Sequence, residues 1–208
     1  MVSLEHSQSK PLQFSTFALV KNKVRIIAGE WRSRIITFPE NADLRPTPDR
    51  VRETVFNWLG QDMSGKCCLD LFAGSGAMGF EAASRGAVKV VMVESNPGIM
   101  AMLRTSLRKL GGGQVELVAM DVSNFIDSDH RRFDVIFLDP PYRLGLLPEL
   151  LSRLHSHLTL DGLVYVENDK GLEPGAEWQI WRRGHAGKVF YQLLKSRENG
   201  KSDLPGDV

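Results

Sequence analysis

Short apolar runs alternate with helical patterns along most of the chain, which indicates a parallel β-sheet covered by helices. Helices are predicted where apolar residues recur at helical spacing, after Asn96-Pro97 and along the leucine stripe from Leu146 to Leu154. Strands are predicted where apolar and β-branched residues are continuous: Cys67–Phe72, Lys89–Glu94, Val115–Asp121, Asp134–Asp139 and Leu163–Glu167. The pattern therefore predicts an α/β fold.

The pattern changes at both ends of this alternation. The β-like runs Val24–Ala28 and Arg34–Phe38 flank a glycine-containing turn and predict a small hairpin ahead of the main domain. The runs Trp178–Arg182 and Lys188–Leu194 predict a terminal antiparallel hairpin. We therefore expect a hairpin extension over 21–44 and a main domain over 45–197, with disordered tails over 1–20 and 198–208.

An amphipathic helix is predicted between the extension and the first strand of the sheet. Thr47 is expected as its N-cap, Pro48 as its first helical residue and Gly60 as its terminator. The turn of the preceding hairpin is expected to expose Trp31, where this side chain could contact a partner.

Composition excludes several classes of protein. In 208 residues with 42% apolar content there is no apolar run long enough for a membrane span, so we expect a cytoplasmic protein without a membrane partner. Cys67 and Cys68 are adjacent and point to opposite faces of a strand, which makes them poor partners for each other. The histidines are scattered, so no metal site is expected. A monomer is expected.

The net charge is only +1, but basic residues are concentrated in two segments. Eight basic residues stand against four acidic ones from Lys21 to Arg52, and Ile180 to Arg197 holds five basic residues and no acidic one. On one face these segments would form a cationic surface for phosphates, although ordinary solvated faces explain them equally well. The candidate RNA contacts are Arg32, Arg34, Arg182, Arg183 and Lys188.

The sequence Asp139-Pro140-Pro141-Tyr142 directly follows a buried strand and indicates a catalytic loop. The prolines end the strand, which leaves the Pro140 carbonyl and the Asp139 carboxylate as acceptors beside the Tyr142 ring. Two acceptors next to an aromatic face suit a planar group with an exocyclic NH2, such as a nucleobase amine. The alternative is a strand-ending turn in which Asp139 only caps the next helix.

A glycine-rich turn follows the first strand of the sheet. Gly74, Gly76 and Gly79 fit a dinucleotide fingerprint, and Glu94 stands where a ribose-binding acid is expected, so a dehydrogenase is a rival interpretation. However, acids recur at the ends of consecutive strands, namely Asp70, Glu94, Asp121 and Asp139. Four carboxylates favour the cationic cofactor S-adenosylmethionine over a pyrophosphate. Glu94 is expected to bind the ribose, Asp121 the adenine amine and Asp70 the methionine end.

The same residues resemble a known family. Arg25–Gly29, Arg45–Glu53 and Leu69–Gly76, together with Asp139–Tyr142, resemble the RsmD-type family of bacterial 16S rRNA guanine-N2 methyltransferases over roughly residues 24–195. The resemblance implies a Rossmann-like class I methyltransferase fold, with a seven-stranded, mostly parallel sheet, an antiparallel last strand and a small N-terminal β-hairpin extension. It also implies 16S rRNA, in the small ribosomal subunit or its assembly intermediate, as substrate.

The resemblance further implies roles for single residues. The Arg45–Glu53 segment would close over the methionine end of the cofactor. The implied catalytic residues are Asp139, Pro140, Pro141 and Tyr142, and the implied cofactor-binding residues are Asp70, Phe72, Gly74, Gly76, Glu94, Asp121, Thr47 and Arg50. Asp139 and the Pro140 carbonyl would orient the guanine amine for in-line methyl transfer, after which water or Asp139 takes the proton.

Other targets fit the same loop. Adenine N6 of DNA and a protein glutamine amide also present a planar NH2, although the chain lacks length for a DNA target-recognition domain. A glutamine-directed member of the broader class would more typically carry Asn where Asp139 stands. An rRNA-binding assembly factor with a vestigial cofactor site is a non-enzyme alternative, but it gives the acid series and the loop no purpose.

Overall fold

The computed structural model describes residues 21–39 and 46–197. The expected tails over 1–20 and 198–208 lie outside the described residues, as do the last residues of the expected hairpin extension and Arg45. Within the described ranges, no helix has the length and apolar content needed to cross a membrane.

A seven-stranded sheet forms the centre of the molecule and confirms the expected fold class. Its strand order is β5-β4-β3-β6-β7-β9-β8, in which β9 is antiparallel to both neighbours and the remaining strands point the same way. The strands are β3 (Cys67–Asp70), β4 (Lys89–Val93), β5 (Val115–Val118), β6 (Phe133–Leu138), β7 (Leu158–Asn168), β8 (Trp178–Ala186) and β9 (Val189–Ser196).

Helices cover both faces of this sheet and create two apolar cores. One core lies beneath α1, α2 and α3, and the other beneath α4 and α5, because the strands are apolar on both faces. The helices are α1 (Asp49–Leu59), α2 (Ala77–Ser84), α3 (Pro97–Leu110), α4 (Val122–Ser128) and α5 (Leu147–Arg153). All eight residues of α2 are buried.

Several element boundaries differ from those predicted. The predicted strands continued through acidic residues, whereas β4, β5 and β6 end before Glu94, Asp121 and Asp139. The carboxylates of Glu94 and Asp121 accept N–H groups of the following segments, which turns the chain out of the sheet. In contrast, β7 begins earlier than predicted, because a register shift against β6 lets Leu158 pair with Phe133.

The N-terminal hairpin forms its own two-stranded antiparallel sheet from β1 (Lys21–Arg25) and β2 (Ile35–Pro39). Its turn lies against the end of α2, where Gly29 has a φ of +81° and a Cβ there would lie 1.8 Å from the Ser84 carbonyl oxygen. The prediction that Trp31 is exposed was wrong, since only 2% of it is accessible. Its indole packs edge-on against Phe80, with the ring centroids 6.4 Å apart, because the hairpin folds back onto α2.

A buried ionic cluster joins the extension to the main domain. The Glu81 carboxylate on α2 accepts the N–H groups of Ile27 and Ala28 at 2.8 and 3.0 Å, and it pairs with Arg52 at 3.3 Å and Arg85 at 2.8 Å. The Arg52 guanidinium also donates to the Arg25 carbonyl at 2.7 Å. Because Arg52 is fully buried, it does not belong to the cationic surface to which the sequence assigned it.

Replacing Glu81 with alanine should therefore destabilise the fold strongly. Glu81→Ala removes the buried partner of Arg52 and leaves only the half-exposed Asp49 carboxylate, at 2.6 Å, beside the buried guanidinium, at a cost of about 3–5 kcal/mol in the free energy of unfolding. Urea denaturation measures this loss. The control is Glu53→Ala on α1, an exposed glutamate whose loss should change stability by less than about 0.5 kcal/mol. Equal midpoints for the two variants would contradict the role of the cluster.

Candidate active site

Acidic side chains meet at the edge of the sheet where the parallel strands end. Asp70 is the last residue of β3, and Glu94 and Asp139 directly follow β4 and β6. Asp121 follows β5 after a short connection. The structure thus brings all four acids predicted from the sequence to one edge, the position at which open α/β sheets bind ligands.

The glycine turn after β3 is shaped by Asp70. Oδ2 of Asp70 accepts the N–H of Gly79 at 3.0 Å, and its carboxylate also accepts the N–H of Phe72. Gly76, with a φ of +80°, takes the left-handed conformation that starts α2. Burial, reinforced by the charge of Glu94, raises the pKa of Asp70 to about 7. Asp70 therefore both holds the turn and carries a proton that is readily lost near neutral pH.

Glu94 bridges the glycine turn and the start of α3. Its Oε2 accepts the N–H of Gly74 at 3.1 Å, and its Oε1 accepts the N–H of Asn96 at 2.7 Å. Asn96 in turn caps α3 by accepting the N–H groups of Gly98 and Ile99. The position of Glu94 is thus fixed from two sides before any ligand binds.

Asp121 is exposed and caps α4. Its Oδ1 accepts the N–H groups of Ser123 at 2.8 Å and Asn124 at 3.4 Å. One oxygen of Asp121 therefore serves as a helix cap, and recognition of an adenine amine by Asp121 stays a prediction.

The loop after β6 places an acid, two prolines and an aromatic ring side by side. Pro140 is buried, and no backbone N–H within the described residues donates to its carbonyl. Pro141 precedes a single 3-10 turn, Tyr142–Leu144, which leaves Tyr142 37% exposed beside Asp139. The phenol of Tyr142 donates to Oε1 of Glu167 at 2.9 Å. The loop therefore has the acceptors and the aromatic face predicted from its sequence.

Glu167 is a site residue that the sequence interpretation missed. It lies near the end of β7, is 4% exposed, and accepts hydrogen bonds from the hydroxyl groups of Tyr142, Tyr165 and Thr47. The signal that could have found it is its position, because it is a further acid at the end of a predicted strand.

Burial, followed by repulsion between carboxylates, shifts the pKa values of the acids at this edge of the sheet. Burial, then the charges of Glu167 and Asp70, raise the pKa of Asp139 well above its usual range. Burial also raises the pKa of Glu167, although the three hydroxyl groups oppose that effect. Six basic residues of the described chain form their ion pairs with other acids and not with these four, namely Arg25, Arg52, Arg85, Lys89, Arg131 and Arg153. This arrangement favours a cationic ligand.

The prediction that Thr47 is the N-cap of α1 was wrong. Pro48 occupies the cap, the helix begins at Asp49, and the Thr47 side chain instead hydrogen-bonds to Glu167. Thr47 is nevertheless 5% exposed and next to the catalytic loop, whereas Arg50 lies exposed on the first turn of α1. The structure thus brings Thr47, but not the side chain of Arg50, into contact with the site.

The candidate RNA-binding residues fall into two groups, which lie at opposite edges of the sheet. Ala186 pairs with Val189 and Asn168 with Phe190, so the β8–β9 turn with Lys188 lies at the same edge as Asp139. Arg182 and Arg183 are exposed nearby on β8, and Arg182 lies over the Trp181 ring at 4.8 Å.

Arg32 and Arg34 lie at the other edge. The Arg34 guanidinium donates to the Lys109 carbonyl at the end of α3, and the turn that carries Arg32 is bonded to the end of α2. Both helices begin at the edge that carries the acids and run away from it, so these arginines do not join the candidate site.

The comparisons agree with this geometry. A family model described as Conserved hypothetical protein 95 matches residues 24–195. The chain belongs to this family. The matched residues of the RsmD-type family span the hairpin extension, the acid series and the β8–β9 hairpin.

Two relatives from Escherichia coli illustrate the likeness. Ribosomal RNA small subunit methyltransferase D of strain K12 is 38% identical over 188 residues, which cover 87% of this chain and 94% of that protein. The solved structure of the putative methyltransferase yhhF is 37% identical, with a TM-score of 0.76 over 84% of this chain and 98% of that one.

A more distant structure shares the fold alone. The RNA methyltransferase from Salinibacter ruber, solved in complex with S-adenosyl-L-homocysteine, is 19% identical, with a TM-score of 0.60 over 78% of this chain and 98% of that one. The fold of the RsmD-type family is therefore shared with methyltransferases of low sequence similarity.

The raised pKa of Asp70 predicts a loss of stability with rising pH. In the folded protein its carboxyl has a pKa of about 7, whereas an unfolded Asp ionises near pH 4, so between these values the folded state holds the extra proton. Asp70→Asn removes this titration. The variant should therefore gain about 2 kcal/mol relative to the wild type between pH 5 and pH 7 in urea unfolding.

The control for this measurement is Asp161→Asn, an exposed aspartate on β7. Its stability relative to the wild type should stay constant between the two pH values. A similarly constant difference for Asp70→Asn would show that Asp70 is already ionised at pH 5.

Proposed function

We propose that this chain transfers a methyl group from S-adenosylmethionine to the exocyclic N2 amine of a guanine in 16S rRNA of the small ribosomal subunit or its assembly intermediate. The observation that carries the proposal is the loop Asp139–Tyr142, in which Asp139 lies beside the buried carboxyl groups of Asp70 and Glu167. Membership of the RsmD-type family supports the same reaction. We infer a cytoplasmic monomer.

The acidic edge supports the choice of cofactor. S-adenosylmethionine supplies a methyl group on a sulfonium centre and carries an ammonium group, and both charges oppose the repulsion among the carboxylates. A dinucleotide would add negative charge at the same place, which disfavours the dehydrogenase interpretation. Glu94 would accept the ribose hydroxyls, while Asp70 and the turn Gly74–Gly76 would support the methionine end. Asp121 would bind the adenine amine through the carboxylate oxygen that does not cap α4.

The catalytic loop would hold the target base by its amine. Asp139 and the Pro140 carbonyl accept the two N–H groups of the guanine amine, and the Tyr142 ring stacks on the extruded base. This arrangement points the nitrogen lone pair at the methyl group, so orientation compensates for a weak nucleophile. A cationic donor also favours the ionised form of Asp139, which keeps its carboxylate an acceptor. The amine proton leaves after transfer, to water or to Asp139.

The β8–β9 turn is suited to contact phosphates next to the flipped base. Arg182, Arg183 and Lys188 are exposed at or near the acidic edge, and Phe190 there is 36% exposed. Cationic side chains beside an exposed ring are typical of surfaces that bind single-stranded RNA. Arg32 and Arg34 lie beyond the far end of α2, a helix of eight residues that is about 12 Å long. They would therefore contact RNA farther from the target base.

Transfer of a labelled methyl group tests the reaction and the role of Asp139 together. We expect label in small-subunit particles or 16S rRNA, and label found only in DNA or protein would overturn the proposal. Asp139→Ala should remove most turnover while cofactor affinity stays within a few-fold, because the carboxylate acts mainly in the transition state. The control Asp161→Ala should retain turnover. Parallel losses of affinity and turnover in Asp139→Ala would contradict the assigned role.

Loss of basic side chains from the turn should weaken RNA binding. Arg183→Ala and Lys188→Ala should each reduce the slope of log affinity against log salt by about 1, since each removes one phosphate contact. Filter binding across a salt series measures this slope. The control Arg104→Ala removes an exposed arginine on α3, which packs against β5 at the far end of the sheet. An unchanged slope in both turn variants would place the RNA elsewhere.

A further inference from the structure

We propose that Glu167 is a positioning residue that fixes the Tyr142 ring against the target base. This inference rests on the proposed function and extends it to a residue outside the catalytic loop. Glu167 does not need to contact the base, since it acts through the tyrosine hydroxyl.

The two oxygens of Glu167 face different surroundings. Oε2 accepts the hydroxyl of Tyr165 at 2.7 Å, and Tyr165 is fully buried, with its ring centroid 6.2 Å from that of Phe137. Oε1 accepts the hydroxyl of Tyr142 at 2.9 Å, and Tyr142 lies at the surface. The buried Tyr165 hydroxyl therefore holds the Glu167 carboxylate in place, and the carboxylate in turn holds the exposed Tyr142 ring.

Tyr142 needs such a fixed partner. It begins a single 3-10 turn in which none of the three residues is buried. Packing within the turn therefore does little to hold the Tyr142 ring in place. A ring that is held in advance stacks on an incoming base without losing side-chain freedom at that step. The expected penalty for losing the Glu167 contact is therefore in turnover and target binding, and not in cofactor binding.

The same carboxylate also connects two segments of the site. Thr47 hydrogen-bonds to Glu167 from the chain that leads into α1, so one side chain links this segment to the catalytic loop. The charges of Asp139 and Glu167 add to burial in raising the pKa of the Tyr142 phenol well above its usual range. The phenol consequently stays protonated and donates to Glu167 throughout the neutral range.

Three variants separate positioning from simple stabilisation. Glu167→Gln replaces the charged acceptor with a neutral amide, and Tyr142→Phe removes the donor hydroxyl, so the first weakens and the second abolishes the hold of Glu167 on the ring. Each should lower kcat roughly 10- to 100-fold while cofactor affinity stays within about threefold. Tyr165→Phe removes a hydroxyl from the same carboxylate on its buried side, so kcat should stay within about threefold even if Tm falls. The double variant Glu167→Gln/Tyr142→Phe should be no slower than the slower single variant.

Equal effects of Tyr142→Phe and Tyr165→Phe on kcat would overturn the proposal in favour of a purely structural role. Additive losses in the double variant would do the same, because the two residues would then act independently.

A spectroscopic measurement tests the contact between Glu167 and Tyr142 without any substrate. The chain has only three tyrosines, so labelling the ζ-carbons with ¹³C gives three signals, which Tyr→Phe variants assign. In Glu167→Gln the Tyr142 signal should move, because a neutral amide replaces the charged acceptor of its hydroxyl, while the Tyr191 signal stays unchanged. An unmoved Tyr142 signal would overturn the positioning role. Failure of the wild type to methylate RNA would instead overturn the proposed function, and the two failures are thus distinguishable.

Discussion

The buried carboxylate of Glu81 holds the two parts of the molecule together. It satisfies two backbone N–H groups of the extension and neutralises Arg52, whose own guanidinium reaches the Arg25 carbonyl. Buried charges are tolerated only when they are paired and hydrogen-bonded, and this cluster meets that condition from three segments at once. Because α2 carries Glu81 and also begins at the glycine turn, the same short helix supports both the extension and the candidate site.

The candidate site is supported by the same helix, but there like charges lie close together. Near Glu81, at the end of α2, acids pair with arginines, whereas at the start of α2 several carboxyl groups lie close together and raise one another's pKa. Such a concentration of like charge costs folding free energy, and a bound cation recovers it as binding energy. Thr47, which precedes α1, hydrogen-bonds to Glu167, so the segment leading into the helix of Arg52 also contributes to this edge.

Local sequence patterns predicted the sheet, its helices, both hairpins and the acid series, because apolar periodicity and strand-end residues depend on near neighbours. They failed where a distant contact decides the outcome. Trp31 is buried by α2, Arg52 is neutralised by Glu81, and Thr47 turns away from its helix toward Glu167. The partners of Arg52 and Glu167 lie more than twenty positions away, so a local pattern can mark Glu167 as a strand-end acid but cannot identify what either residue contacts.

The arginines of β8 also have a consequence for solubility. β8 is the outermost strand of the sheet, and its free edge would otherwise offer unpaired backbone groups to another chain. The register shift between Ile180 and Arg182 and the adjacent Arg182 and Arg183 interrupt that edge with a bulge and with charge. Loss of these arginines would therefore leave an outer strand that can pair with a second chain, and the risk of aggregation would rise.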